Sequence, residues 1–598
     1  MGLYVLLMVC IELPPVQRYL GHKVGEALQE KLGTKVSIGS IDLGFLNRFI
    51  IDDILIYDQQ QKEMLRANRL SAKIEIAPLT RGEIAISSAQ IFGVKATLYK
   101  SSAESPANFQ FVLDSLASKD TTHHTPLNLR INSFIMRHSS VSYDQWDVAP
   151  TSGQFNPHHM HFQDISAHII LKALQDDSLN VKVKRLAFNE QSGLDVQRMA
   201  FQLTANNTSA CLRDFSLQLP LSRLHSDSLL ANYERDRIKE TLRFNGNINQ
   251  TSITPSELGI FYLPLKNFKN SISISSTFHG ASHSLTIPKL EIASAANDLK
   301  LVGNGFFRQL EATHPEWSAA IRQLQVSQEM LHSIGQNITP LPEPILRLGD
   351  ILLSGTFEGS SDGTLTADSN IKTGLGQADA TLQWTENRHF NGHIQTEGIL
   401  LSELLQNPSL GTFAADLQIA GMLHENKLKS LSISGDIPTL TYNGHDYHQI
   451  SLDGQYLNDH LEGWLNINDE RIRTHLEANI HATSAKDAVG IVSLSDLHIP
   501  EKDFNLSFLR LESGYDDSRT HFVKLYSDFA HAEIKGLFDY STLAQSFANI
   551  VGSRLPTLPG LPRLTHDTNN NFQVQMTVAE TDWLQKLTGF DLHLNEPL

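Results

Sequence analysis

Beyond residue 34, apolar and polar residues alternate one by one along most of the chain. Ile472, Thr474, Leu476, Ala478 and Ile480 interleave with Arg471, Arg473, His475, Glu477 and Asn479. The same period of two runs through residues 215–221, 413–419, 450–456, 461–467 and 572–578. Such alternation marks strands with one apolar and one solvated face, mostly antiparallel and paired with their sequence neighbours. Turn residues recur between the runs, at Ser434-Gly435-Asp436, Tyr442-Asn443-Gly444 and Leu457-Asn458-Asp459. This is the spacing of a meander.

One helical period precedes the strands. Val16, Leu20, Val24, Leu28 and Leu32 recur every four residues after Pro14-Pro15, with Arg18, His22, Glu26 and Glu30 on the other side and Gly33 as a C-cap. The spacing predicts an amphipathic helix over 16–33. Its plainer role is packing on the protein's own core, and its sharper one is lying at a membrane surface. Further short helices are expected at 108–117, 328–334 and 400–406. Residues 118–125 and 340–344 read as linkers.

A chain with about thirty strands must protect its sheet edges. No regular blade period supports a propeller, and the two linkers are too few for many separate sandwiches. The pattern therefore predicts one elongated antiparallel sheet with a few short helices; if it is curved with its apolar side chains on the concave face, it becomes a taco-like groove open to one side. Thirty strands at about 4.8 Å each would extend roughly 140 Å. Leu217, Leu417, Ile419, Leu452, Leu465, Leu476 and Val574 are the expected groove-facing residues. Trp464 alternates with Leu465 and is expected on the outer face, while Trp384, Trp464 and Trp583 are all placed at or near strand ends.

Composition narrows the functional classes. In 598 residues, 48 Lys and Arg stand against 65 Asp and Glu, a net charge of -17. No basic run offsets this acidity, which excludes a broad nucleic-acid footprint. The two cysteines, Cys10 and Cys211, form no C-x-x-C motif. The apolar stretch 2–13 is shorter than the roughly twenty residues of a membrane-spanning helix. It is either a buried element or the remainder of a longer transmembrane helix.

Candidate chemistry is sparse. His158, His159 and His161 form an H-H-x-H cluster, and His123-His124 a pair. Apart from Asp164, no carboxylate or cysteine stands at ligand spacing, so the cluster is read as exposed loop histidines and no metal is assigned. Asp52-Asp53 and Asp469-Glu470 read as hydrogen-bonding punctuation rather than acid/base pairs. G-x-S-x-G, H-E-x-x-H and phosphate-loop motifs do not occur. No enzyme activity and no cofactor are expected.

The chain resembles the TamB/AsmA-like family of bacterial envelope proteins, particularly TamB relatives from Bacteroidota. The first carrier of the likeness is Leu13-Pro14-Pro15-Val16-Gln17-Arg18-Tyr19-Leu20. It continues through Leu32-Gly33-Thr34-Lys35-Val36-Ser37-Ile38-Gly39, Asp52-Asp53-Ile54-Leu55-Ile56-Tyr57-Asp58 and Ala77-Pro78-Leu79. A second carrier is Ile437-Pro438-Thr439-Leu440-Thr441-Tyr442-Asn443-Gly444 with Ile450-Ser451-Leu452-Asp453-Gly454.

The resemblance implies a partial membrane anchor at 1–15 and N-terminal strands and cap at 34–117. Groove segments follow at 126–339 and 345–598. It implies anchoring in the inner membrane with the bulk in the periplasm, and movement of phospholipid between inner and outer membranes. Phospholipid acyl chains and the inner membrane are the expected partners. The family's C-terminal domain does not follow Phe590-Asp591-Leu592, so the chain reads as an N-terminal portion, and an outer-membrane assembly partner would be met through that further domain. The alternative implied is a scaffold or chaperone-like factor in outer-membrane protein assembly.

Overall fold

A computed structural model describes residues 13–44, 48–75, 84–116, 128–175, 177–424, 427–484, 486–554 and 570–588. The apolar stretch through residue 12 with Cys10, Ala77-Pro78-Leu79, and the 118–125 linker with His123-His124 lie outside them. Strand makes up 62% and helix 16%, a mostly β protein. The chain divides into two compact units, residues 1–341 and 342–598. The division falls inside the proline-rich stretch 340–344.

The first unit opens with helix α1 (Pro14–Leu32), started by prolines in its first turn and ended by Gly33 in the left-handed region at φ 64°. Then come β1 (Val36–Gly44), β2 (Arg48–Tyr57), β3 (Glu63–Ile74), β4 (Ile84–Phe92), β5 (Lys95–Lys100), helix α2 (Gln110–Leu116) and β6 (Asn128–Gln145). β1, β2 and β3 pair antiparallel, and both β4 and β5 bridge β3 to β6. Their pairings with β6 are parallel. From β6 the chain meanders through antiparallel strands to Glu316–Val326, followed by helix α3 (Gln328–Asn337).

α1 packs on β1, but not only through its i+4 apolar stripe. Leu32 is buried, Val16, Leu20 and Leu28 are half-buried, and Val24 is exposed. The closest approach is made by Gly21 and Gly25, both buried. A β-carbon on Gly21 would stand 3.2 Å from the Ile38 carbonyl oxygen and Ser40 Cα. The absence of side chains there lets the helix sit against strand backbone. Leu32, Val36, Ile38 and Ile41 form the buried cluster beneath it, with Phe111 and Val112 of α2 added.

Among the described residues the second unit is a simple meander of fourteen strands, from Ile351–Ser360 to Asn571–Val578, every described pair antiparallel. Two expected turns are tight two-residue hairpins. Asn443-Gly444 carries positive φ at both positions (49° and 78°), as does Asn458-Asp459 (49° and 67°). Ser434-Gly435-Asp436 is not a turn. It lies inside the strand Lys427–Tyr442, where a β-carbon on Gly435 would fall 2.1 Å from the Asp416 carbonyl oxygen. Close strand approach, not chain reversal, requires glycine here.

The expected helices appear as α2, α3 and Leu401–Leu405. A fifteen-residue helix, Tyr540–Arg554, lies outside the expected set. The sequence signal at its start is Asp539, whose carboxylate accepts from the Ser541 N–H at 3.0 Å.

Candidate functional site

Direct partners across a strand pair point to the same face of a sheet, so register converts the sequence alternation into surfaces. In the second unit one rung runs Ile394, Leu417, Gly435, Leu452, Leu465, Leu476, Leu494 and Leu509. The next starts at Phe357 and passes through Ala367, Leu382, Gly392, Ile419, Ile433, Gly454, Gly463, Ala478, Val492, Leu511, Leu525 and Ala532 to Met576. It crosses all fourteen strands without one polar side chain. Val574 stands on the following rung, beside Ile534 and Val523.

The opposite face is mostly polar. Its central rung reads Thr356, Asp368, Thr381, His393, Gln418, Ser434, Asp453, Trp464, Glu477, Ser493 and Arg510. Trp464 therefore faces away from Leu465. It lies in the middle of the strand His460–Asn468, stacked near His475 with ring centroids 6.2 Å apart. A cavity of about 640 Å³ opens beside it on this polar face, lined in part by Asp453, Glu477 and Arg510. Concavity alone thus does not distinguish the apolar face.

Leu217 belongs to the first unit, which has an apolar rung of its own. Ile41, Ile51, Leu70, Ile91, Met136, Ala167, Leu186, Met199, Leu217 and Leu224 are successive partners. α1 and α2 pack over the Ile41 end of this rung.

These faces are apolar but not packed shut. Leu217, Leu417, Ile419, Leu452, Leu465 and Leu476 are half-buried, and Val574 is exposed. In the second unit burial falls along the strands, from Ile450 at 4% exposure through half-buried Leu452 to Leu461 at 44%. The buried end is a small cluster of Ala415, Ile437 and Ile450. Large apolar side chains are buried elsewhere, Phe504 and Leu506 at 4% exposure and Phe538 at 6%, but no member of the second unit's two apolar rungs is among the buried residues.

Of the histidine cluster only His158 is an exposed turn residue. His159 and His161 begin the strand His159–Gln175, which pairs with β6, and His159 is buried. The carboxylate that joins them is Asp144, not Asp164. Asp144 Oδ1 lies 2.8 Å from His159 Nδ1, and its Oδ2 lies 3.0 Å from His161 Nε2. His159 Nε2 also meets the Val148 carbonyl oxygen at 2.7 Å. Both partners of His159 are acceptors, an arrangement that only the protonated ring, donating from both nitrogens, satisfies in full.

The Asp144 and Val148 acceptors accordingly raise the His159 pKa above the usual histidine range. Burial pushes the Asp144 carboxyl up, but hydrogen bonds from His159 and His161 outweigh it and hold its pKa low. The arrangement fastens the β6 hairpin; among the described residues no group of three or more His, Cys, Asp or Glu is arranged to hold a metal ion.

The acidic pairs act structurally. Asp52 sits inside β2 and takes a two-pronged ion pair from Arg69, at 2.6 and 3.1 Å. Asp469 caps its turn, accepting from the N–H groups of Arg471 and His448 at 2.8 Å each. Trp384 stacks on its cross-strand partner Phe390. Trp583 lies in the helix Asp582–Thr588 and stacks on Phe529, which directly precedes the strand Ala530–Leu537. Cys211 is a free, half-buried thiol in the strand Ser209–Gln218.

Among the described residues, no helix is long and apolar enough to cross a membrane. Compared with known proteins, the chain matches no family model, no curated protein and no solved structure.

Proposed function

We propose that the chain is a lipid-handling protein of the bacterial envelope, of TamB/AsmA-like type, that shields phospholipid acyl chains on its apolar sheet faces. In this reading each face curls into a groove, the bulk stands in the periplasm, and the N-terminus is held at the inner membrane. Phospholipid moves along the groove between the inner and outer membranes, and the chain catalyses no reaction.

The observation that carries the reading is the fourteen-strand rung without a polar side chain, whose members stay partly open to water. An acyl chain lying along it would remove apolar area from water on both partners, at about 25 cal/mol per Å². The polar face keeps the protein soluble meanwhile.

The experiment is extraction of the purified full chain for bound phospholipid, compared with Leu465→Asp/Leu476→Asp. Phospholipid is expected to accompany the wild-type chain and to fall severalfold in the variant. Equal phospholipid in both, with the variant folded, would contradict the reading.

A second reading, a scaffold that offers sheet edges to outer-membrane proteins, draws support from the strand Asn571–Val578. Among the described residues it pairs on one side only, with Ala530–Leu537. Under that reading the same double variant would leave assembly of outer-membrane proteins unchanged.

A further inference from the structure

Between the strands Arg243–Ile253 and Ile272–Ala281 the chain leaves the sheet as two consecutive 3₁₀ turns, Pro255–Ile260 and Leu263–Asn267. The excursion is tied down on several sides. The Ser256 N–H donates to the Phe268 carbonyl at 2.9 Å and closes its base. Glu257 accepts from the Leu221 N–H at 2.7 Å. Gly259 lies so close to the second turn that a β-carbon would stand 3.0 Å from Lys266 Cα. The Phe155 ring leans on Phe261 at 5.3 Å, and the Asn267 amide donates to Asn337 at the end of α3.

A loop held this firmly would ordinarily bury its large side chains, yet Phe261, Tyr262 and Leu263 are 53%, 51% and 53% exposed. Three successive large apolar residues lifted into water need a partner surface. The local charge says which kind. In sequence no Asp or Glu follows Glu257 until Glu291, although acids outnumber bases in the chain by 65 to 48; Glu257 itself is turned onto the Leu221 N–H, and Asp298 accepts from the Asn270 amide at the loop's far end. Lys266, Lys269 and Lys289 fall within that stretch, and Lys266 and Lys269 are exposed beside the aromatic tip.

We propose that the 255–268 loop is a membrane-surface anchor for an anionic bilayer. Phe261, Tyr262 and Leu263 enter the boundary between headgroups and acyl chains, with the tyrosine hydroxyl kept at the polar level. Lys266 and Lys269 meet the lipid phosphates. This goes beyond the lipid-holding role and does not depend on it, because the partner is a bilayer surface rather than a single acyl chain.

The test is flotation of the full chain with vesicles of phosphatidylcholine, alone or mixed with phosphatidylglycerol. The wild-type chain is expected to prefer the anionic vesicles. Phe261→Ser/Tyr262→Ser/Leu263→Ser should lower its partitioning about tenfold or more. Lys266→Glu/Lys269→Glu should lower it about fivefold or more per lysine on anionic vesicles alone. Tyr262→Trp should gain tryptophan fluorescence quenched by brominated phospholipid, beyond the wild-type background, and this decides the matter if the triple variant fails to fold.

Leu476→Asp should float as the wild type does even where it has lost bound phospholipid, which separates this proposal from the lipid-holding role. A triple variant that floats like the wild type would overturn the proposal. So would a Tyr262→Trp chain whose added fluorescence brominated lipid does not quench, or a loop variant that changes self-association in sedimentation without changing flotation.

Discussion

An aspartate placed at Ile450 or at Leu476 asks the same face of the sheet two different questions. Ile450 is 4% exposed and packed with Ala415 and Ile437. A carboxylate there is stranded, and Ile450→Asp should cost about 3 to 5 kcal/mol in urea unfolding. Leu476 is half-buried, so a carboxylate can reach water, and Leu476→Asp should cost about 1 to 2 kcal/mol. Equal large losses would mean that the Leu476 region is a closed core.

Two histidines give pH signatures of opposite sign. The His159 pKa is raised, first by its hydrogen bond to Asp144. Its contribution to stability is complete below the unfolded-chain value and is lost as pH rises through the raised folded value. His521 is buried, between the rings of Tyr515 and Phe538, and burial lowers its pKa. Its unfolded form binds the proton more readily, so stability falls as pH drops below about 6.5. NMR titration of the folded chain should place His159 above about 6.5 and His521 below it. The reverse order would contradict both assignments.

At the level of elements, the docking of α1 turns on two glycines with different clearances. A β-carbon at Gly25 would meet its nearest neighbour, the Val36 carbonyl oxygen, at an ordinary 3.5 Å. Gly25→Ala should therefore be neutral or stabilise by up to about 1 kcal/mol, through better helix propensity. Gly21→Val crowds the Ile38 carbonyl and should destabilise by about 1 to 3 kcal/mol. Hydrogen exchange of the 14–32 amides reads both, with protection kept in the first variant and lost in the second.

The strands were legible because alternation needs only a residue's own neighbours, and tight hairpins such as Asn443-Gly444 keep successive strands in register. What stayed hidden depends on partners distant in sequence. Asp144 lies fifteen residues before His159, and only strand pairing brings them together. Gly435 resembled a turn residue because the Asp416 carbonyl that demands glycine belongs to the preceding strand. The stripe expected on α1 missed Gly21 and Gly25 because hydropathy does not register a missing side chain as a contact.

On the scale of the whole molecule, the thirty strands of the described residues carry two populations of side chain, and each unit has an apolar rung of its own. A net charge of -17 sits on a protein whose apolar faces are only partly covered, which suits a ligand that is itself apolar along most of its length. The most direct measurement uses neighbours that point in opposite directions. A photoreactive residue is placed at Leu465, on the apolar face, and separately at Trp464, on the polar face, and each chain is irradiated in cells. Phospholipid adducts are expected from position 465 and not from position 464. Absence of adducts at 465, or equal adducts at both positions, would contradict the claim that the apolar face holds lipid.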